Sequence, residues 1–377
     1  MTMTGDFYQE SNDSKKEIEM TSKKLLGTAL ASLLALSPTL SAQETIKVGF
    51  VFVSPIGDAG WTYMHNRARR IVDEEFGNAV ETSYVEKVEE GSDSQRVIRR
   101  LSSSGHDLIF TTSFGYMNPT LRVAEKFPDV IYEHATGYKT AENVGNYQAR
   151  MYQGRYLAGM IAGAMSEADT LGYVAAFPIP EVLRGINAFT LGARVTNPDA
   201  SVRVSWINAW HDPAKEREAA DSLMRQGADV LTMHADSPAV VQAAADQGAY
   251  GIGFNSNMAK FAPEAHLTSV VNHWEHIYRD KVQAVLDGTW ESESIWQGLA
   301  HDVVDLAPLH DDVPKDVASK MEKHKQELID GNRRVFDGPV HNQAGDLMVP
   351  EGETLSDEKL LQLEWYVEGV QGKLPDQ

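Results

Sequence analysis

Aromatic and short polar side chains gather at one kind of place in this chain, just beyond apolar runs of strand length. The run from Val48 to Val53 stops at Ser54-Pro55, and Asp58 and Trp61 follow in a glycine-bearing loop. The run "DLIFTTSFGY" delivers Thr112, Ser113 and Phe114, and "VRVSWINAWHD" leads to Trp210 and Asp212. "DVLTMHADSP" ends on His234 and Asp236, and "YGIGFNSNM" on Asn255 and Asn257. The chemistry of such a set is recognition. A carboxylate accepts from an N–H, an amide both donates and accepts, and an indole face covers a flat ring. Catalysis would need a nucleophile beside a base, a phosphate cradle or a metal cluster. The sequence has no cysteine, no Walker motif and no G-x-S-x-G elbow. Glu133 and His134 adjoin in "IYEHATG", where they read as groups that orient loops and not as an acid/base pair. His273 and His276 in "HWEH" stand three apart, a spacing that suits a metal on a helix. No third ligand is evident, so they read as a solvated helix face. The expectation is a binding protein and not an enzyme, with no cofactor and no metal.

The elements that must carry these residues follow from periodicity. Short apolar runs alternate with helical patterns from residue 44 onward: "IKVGFVFV", a helix through Phe76, "VETSYVE", "DSQRVIRRLSSSG", "DLIFTTS", "MNPTLRVAEKFP", "VIYEHAT". After "YQGRYLAGMIAGAMSEA" the cadence restarts and runs to "YGIGFNS". Such alternation predicts α/β architecture with parallel, doubly wound sheets, here in two similar lobes. Ligands of such sheets bind outside the carboxyl ends of the strands. Two rims facing one another would form a cleft that closes on something flat. Arg150 and Arg155 in "ARMYQGR" are expected to structure the helix beside the hinge, and the charged stretch "EEFGNAVETSYVEKVEEGSD" to be solvated surface.

The 377 residues carry a formal net charge of −20, which disfavours a nucleic-acid partner. Near the N-terminus Lys23-Lys24 precede an apolar stretch from Leu25 to Leu36, then Pro38 and a small residue at Ala42. This is the pattern of a secretory signal peptide over residues 20–42, behind a polar leader of residues 1–19. Without cysteine an exported chain has neither disulfides nor a lipid-bearing anchor, so a soluble periplasmic monomer is expected.

Together, "VGFVFVSPIGDAGWTY", "IFTTSFGYMNPTLRVAEKFPDVIYEHATG", "NVGNYQARMYQGRYLAGMIAGAMS", "WHDPAKE" and "VFDGPV" resemble the basic membrane protein (BMP) family. These are substrate-binding proteins of ABC importers, PnrA-like purine receptors among them. The resemblance implies a type I periplasmic-binding-protein fold, two Rossmann-like lobes joined by three crossovers. It places a first lobe at residues 44–147 plus 268–290 and a second at 148–267 plus 291–345. A C-terminal extension, 346–377, is expected to dock an amphipathic helix, "LSDEKLLQLEWYVEGV", on a lobe. A membrane permease and an ATPase are the implied partners.

Family members sandwich a purine between one aromatic from each lobe, which maps here onto Trp61 and Trp210. Base stacking contributes roughly 1–3 kcal/mol per contact, whereas micromolar binding needs about 8 kcal/mol. Polar contacts must supply the remainder, and Asp58, Ser113, Asp236 and Asn255 are the candidates, with Ser54, Phe114 and Asp212 lining the pocket. Nucleoside-binding relatives carry an Asp where this chain reads "GFNSNM" and a Lys where it has Asn272. Losing both charges removes anchors for a sugar. The implied ligand is an adenine-like purine base, with a purine nucleoside, or a ligand-sensing role of the same fold, as the alternatives.

Overall fold

A strand buried on both faces and flanked by amphipathic helices has one common solution, a parallel sheet with helical crossovers. The computed structural model describes residues 45–375 and takes that solution twice. In the first lobe β1 (Ile46–Phe52), β2 (Val80–Val85), β3 (Leu108–Thr112), β4 (Ile131–Ala135) and β5 (Val144–Ala149) alternate with α1 (Trp61–Phe76), α2 (Ser92–Ser103) and α3 (Met117–Ala124). After β5 the chain crosses into α4 (Met151–Met165), then β6 (Thr170–Ala175), α5 (Pro180–Thr196), β7 (Ser201–Trp206), α6 (Pro213–Arg225) and β8 (Val230–His234). It continues through α7 (Ala239–Asp246), β9 (Tyr250–Asn255) and β10 (His266–Asn272).

The chain then returns. Helix α8 (Trp274–Leu286) packs on α1, and β11 (Ser294–Gln297) pairs in parallel with β5. A last crossing leads to β12 (Val304–Leu306), antiparallel to β10, and α9 (Lys315–Ile329). The hairpin β13 (Val340–His341) and β14 (Leu347–Val349), the short α10 (Asp357–Leu361) and β15 (Val370–Gln371) complete the chain. The two sheets run β11-β5-β4-β3-β1-β2 and β12-β10-β9-β8-β6-β7-β15. Three crossings between them make the type I periplasmic-binding-protein architecture.

The lobe boundaries differ from expectation. The family pattern puts the segment 268–290 whole in the first lobe, yet β10 stays in the second sheet beside β9, buried along its whole length. The crossing falls at His273, immediately before α8. Conversely, β11 lies in the first sheet, although the same pattern puts 291–345 in the second lobe. Nothing in the pattern of either strand, seven and four residues long, names the sheet that will accept it.

The C-terminal segment also departs. The expected helix over "LSDEKLLQLEWYVEGV" is a single capped turn, α10, at whose start the Ser356 Oγ accepts from the Lys359 amide at 3.3 Å. Beyond it, α5 supplies the partners that a longer helix would have found internally. Arg184 donates to the Leu360 carbonyl at 2.7 Å, and Asn187 donates to the Trp365 carbonyl at 2.8 Å while accepting from the Val367 amide at 3.1 Å. Strand β15 then extends the second sheet beside β7.

Helix α5 is itself fixed by close backbone contact with α4. A Cβ on Gly192 would lie 1.9 Å from the Tyr156 carbonyl, and one on Gly159 2.1 Å from that of Phe189. Glycine permits that approach. It holds the α5 N-terminus, with Glu181, against the carboxyl end of β8.

Candidate functional site

Trp61 is the first residue of α1, and Gly60 before it turns the chain at φ 91°. The indole is fixed from three sides. Its Nε1–H donates to the Thr112 carbonyl at 2.8 Å, and its ring meets His65 and Trp274 edge-on at 4.4 and 5.2 Å. His65 stacks on Trp274 and is bonded to the Tyr278 hydroxyl at 2.5 Å. Burial holds its imidazole neutral, with a pKa well below the ordinary histidine value. Trp61 is therefore backed by an aromatic cluster that α8 completes.

Trp210 comes from the loop between β7 and α6. Its ring is edge-on to Phe177 at 4.9 Å, and its Nε1–H reaches Glu90 of the first lobe at 3.2 Å. The same Glu90 oxygen accepts from the Ser113 hydroxyl at 2.5 Å and the Gly115 amide at 2.9 Å. Trp61 and Trp210, one from each lobe, line one small cavity with Val53, Ser113, Phe114, Thr136, Glu181, His234, Ala235, Asp236 and Asn255.

Across this cavity the lobes are hydrogen-bonded. Asp236, at the end of β8, accepts from the Trp61 amide through Oδ1 and from the Ser54 hydroxyl through Oδ2. The Gly60 amide donates to Ser256 Oγ at 2.9 Å. A carboxylate from the second lobe thus caps the first turn of a helix in the first, where backbone N–H groups favour negative charge. Burial nonetheless pushes the Asp236 carboxyl up to about 7, with Glu216 nearby adding to the rise. Gly60 permits the approach, since a Cβ there would lie 2.3 Å from the Asp236 carbonyl oxygen.

The wall carries polar atoms without partners among the described residues. Thr136 Oγ1 and His234 Nδ1 are buried and unbonded. His234 Nε2 lies 3.5 Å from Glu181 Oε1, an arrangement that puts the ring proton on Nε2 and leaves Nδ1 an acceptor. Burial lowers the His234 pKa, which keeps the ring neutral. Asn255, in left-handed conformation at φ 63°, accepts through Oδ1 from Asn272 at 2.8 Å, so its NH₂ remains the donor. Arg155, stacked over Phe254, holds the end of β8 by donating to the Met233 carbonyl.

Of the sequence-predicted residues, Trp61, Trp210, Ser113, Phe114, Asp236 and Asn255 come together on the cavity wall. Asp58 does not. It is exposed in the loop before Trp61 and is absent from the lining. Asp212 caps α6 by accepting from the Lys215 amide at 3.1 Å, and Ser54 lies behind the wall, bonded to Thr62 at 2.7 Å and to Asp236. Sequence reasoning missed Glu181 and Thr136, which belong to no strand-end set with an aromatic. It also read Glu90 as solvated charge, and only contact with Trp210 reveals its role. Glu133 and His134 orient neighbours: Glu133 accepts from Trp290 at 2.8 Å and pairs with Lys281, and His134 Nε2 donates to the Ser113 carbonyl.

Residues 45–335 match the family of PnrA-like ABC transporter substrate-binding proteins. The chain belongs to that family. Over 334 residues, 89% of this chain and 95% of the other, it is 48% identical to a purine-binding protein of Brucella abortus. It is 42% identical over 336 residues, 89% and 83% of the two chains, to a Haloferax volcanii protein provisionally assigned as an ABC transporter glucose-binding protein. An ABC transporter solute-binding protein of Aeropyrum pernix shares the fold, with TM-score 0.69 at 19% identity over 78% of this chain and 94% of that one. The family is one of solute-binding proteins that serve a permease and an ATPase and is not an enzyme class. Among the described residues no helix is long and apolar enough to cross a membrane. The leader and signal-peptide expectations lie outside the described residues.

Proposed function

We propose that this protein captures a purine base, adenine-like, between Trp61 and Trp210 and delivers it to an ABC importer after closure of the two lobes. The observation that carries this reading is the pairing of one indole from each lobe on a single cavity whose wall holds the unpartnered Thr136 Oγ1 and His234 Nδ1. Aromatic faces accept any flat ring. Buried polar atoms without partners call for a ligand that completes their hydrogen bonds. His234 Nδ1 accepts from a ring or exocyclic N–H, and the Asn255 amide donates to a ring nitrogen. The purine-binding Brucella relative supports the same ligand class. Among the described residues no cationic side chain lines the cavity to pair with a phosphate, which disfavours a nucleotide. Closure bridges two rigid lobes and shifts an open–closed equilibrium without chemistry on the ligand. Export to the periplasm and action as a monomer belong to the same reading.

The Haloferax relative's assignment makes a hexose the necessary control, because sugars also stack on indoles. Mass spectrometry of the co-purified ligand, followed by calorimetry with adenine, guanine, hypoxanthine, adenosine and glucose, tests the proposal. The expected result is tightest binding of a free base, recovered unchanged after long incubation. Tighter binding of glucose, or conversion of the ligand, overturns it.

A further inference from the structure

The helix pair His273 and His276 acquires in the fold the third ligand that its sequence neighbourhood lacks. Asp302 lies between β11 and β12 in left-handed conformation at φ 54°. His273 Nδ1 is 3.5 Å from Asp302 Oδ1, and His276 Nε2 is 3.4 Å from Oδ2. One donor atom from each of the three residues fits within a mutual 4.8 Å. A tetrahedral ion with bonds of about 2.0–2.1 Å to nitrogen and oxygen sets its ligand atoms roughly 3.3–3.4 Å apart. Each imidazole already stands at about that spacing from one carboxylate oxygen, His273 from Oδ1 and His276 from Oδ2, and the set has to draw in from its 4.8 Å bound to share one ion.

We propose that His273, His276 and Asp302 bind a divalent transition-metal ion, zinc being the natural probe. Two imidazoles and one carboxylate suit zinc, cobalt or nickel and are a poor set for magnesium or calcium, which take oxygen ligands. Three protein ligands leave a fourth position for water. The side chains are 26%, 40% and 66% exposed for His273, His276 and Asp302, so an ion reaches them from solvent. Nδ1 of His273 donates to the Asp302 carbonyl at 2.9 Å in the metal-free form. Coordination through that atom requires the other tautomer and exchanges this hydrogen bond for the metal bond.

The place of the site gives it a consequence. His273 lies on the crossing from β10 to α8 and Asp302 on the crossing from β11 to β12, and the His273 amide already donates to the Val303 carbonyl at 2.9 Å. An ion here clasps two of the three connections between the lobes. The next residue, Trp274, is the one that braces Trp61. A metal that prefers one hinge geometry is therefore linked to affinity in the cleft, reciprocally.

The test uses the full chain after chelator treatment, titrated with Zn²⁺ by calorimetry and with Co²⁺ by visible absorption. The expected result is one equivalent of metal, with a cobalt spectrum of low coordination number. His276→Gln and Asp302→Asn should each weaken binding by about tenfold or more, and His273→Gln/His276→Gln should abolish the stoichiometric site. Circular dichroism in chelator should be unchanged for the exposed His276→Gln variant, which keeps the test independent of folding. Binding by the wild type no tighter than by the double variant, or absence of a one-equivalent site, overturns the proposal. Because the readout is metal alone, failure here leaves the ligand assignment untouched.

Discussion

Asp236 should make ligand affinity depend on pH in a direction opposite to the usual carboxylate case. An Asp that gains a cation on burial has its pKa depressed and favours the compact state at high pH. Asp236 gains two hydrogen bonds but loses water on all sides, and its carboxyl is pushed up to about 7 in the closed form. In the open form it parts from Ser54 and Trp61 and reverts toward the ordinary value of about 3.9. The closed state then binds the extra proton between those two values, so closure is favoured as pH falls and disfavoured as it rises through 7. With those two protonation equilibria, closure at pH 6 exceeds that at pH 8 by about tenfold, or roughly 1.4 kcal/mol. Two neighbours do not cancel this. Glu216, also raised to about 7, bonds Ser237 and Asp212 within its own lobe and keeps those contacts when the cleft opens. His234 packs on Phe254 of its own lobe but also lines the cavity, so its uptake of a proton on opening offsets part of this gain at pH 6.

The assay is calorimetry at pH 6, 7 and 8 with a purine that does not titrate in that range. Up to tenfold tighter binding at pH 6 is expected for the wild type. Asp236→Asn should flatten the profile while preserving shape, because its Oδ1 can still accept from the Trp61 amide and its NH₂ can donate to Ser54. A wild-type affinity that is flat or rises with pH, or a slope that survives in Asp236→Asn, refutes the reasoning.

Three further outcomes are expected. Trp61→Ala and Trp210→Ala should each weaken purine binding by about tenfold or more, the equivalent of one stacked face, with folding checked by circular dichroism; unchanged affinity removes that ring from the site. Gly60→Ala should fold yet fail to close, since its Cβ would meet the Asp236 backbone and φ 91° is unfavourable to alanine; small-angle scattering should show no ligand-induced compaction. Acid should destabilise the protein between about pH 6.5 and 4, because His134 and His266 are held neutral by burial with pKa values lowered to about 4. Their depressed values contribute stability that is complete above the unfolded pKa and is lost as pH falls through the folded one, which thermal melts across that range will register.

What the sequence discloses is what each segment does for itself. The alternation of strands and helices was legible because burial on two faces and amphipathic periodicity are local patterns. The order of elements puts Trp61 and Trp210 beyond strand ends, where ligands of such sheets bind, and their pairing as stacking faces comes from the family resemblance. Residues whose role is set by the opposite lobe or a distant crossing were not. Asp236 was legible as polar and well placed, but its bonds run to Ser54 and Trp61 across the cleft. Glu90 looks like any charge on a surface loop until Trp210 arrives beside it. The C-terminal run has the spacing of a helix, yet Arg184 and Asn187 satisfy its backbone groups in another conformation, and tertiary contact outweighs a propensity of roughly a few tenths of a kcal/mol per residue. Asp302 completes a cluster with two histidines only because two crossings lie side by side. In a two-lobed protein, then, the groups hardest to read from sequence are those that face across the cleft or the hinge, and these are the groups on which the proposed closure would act.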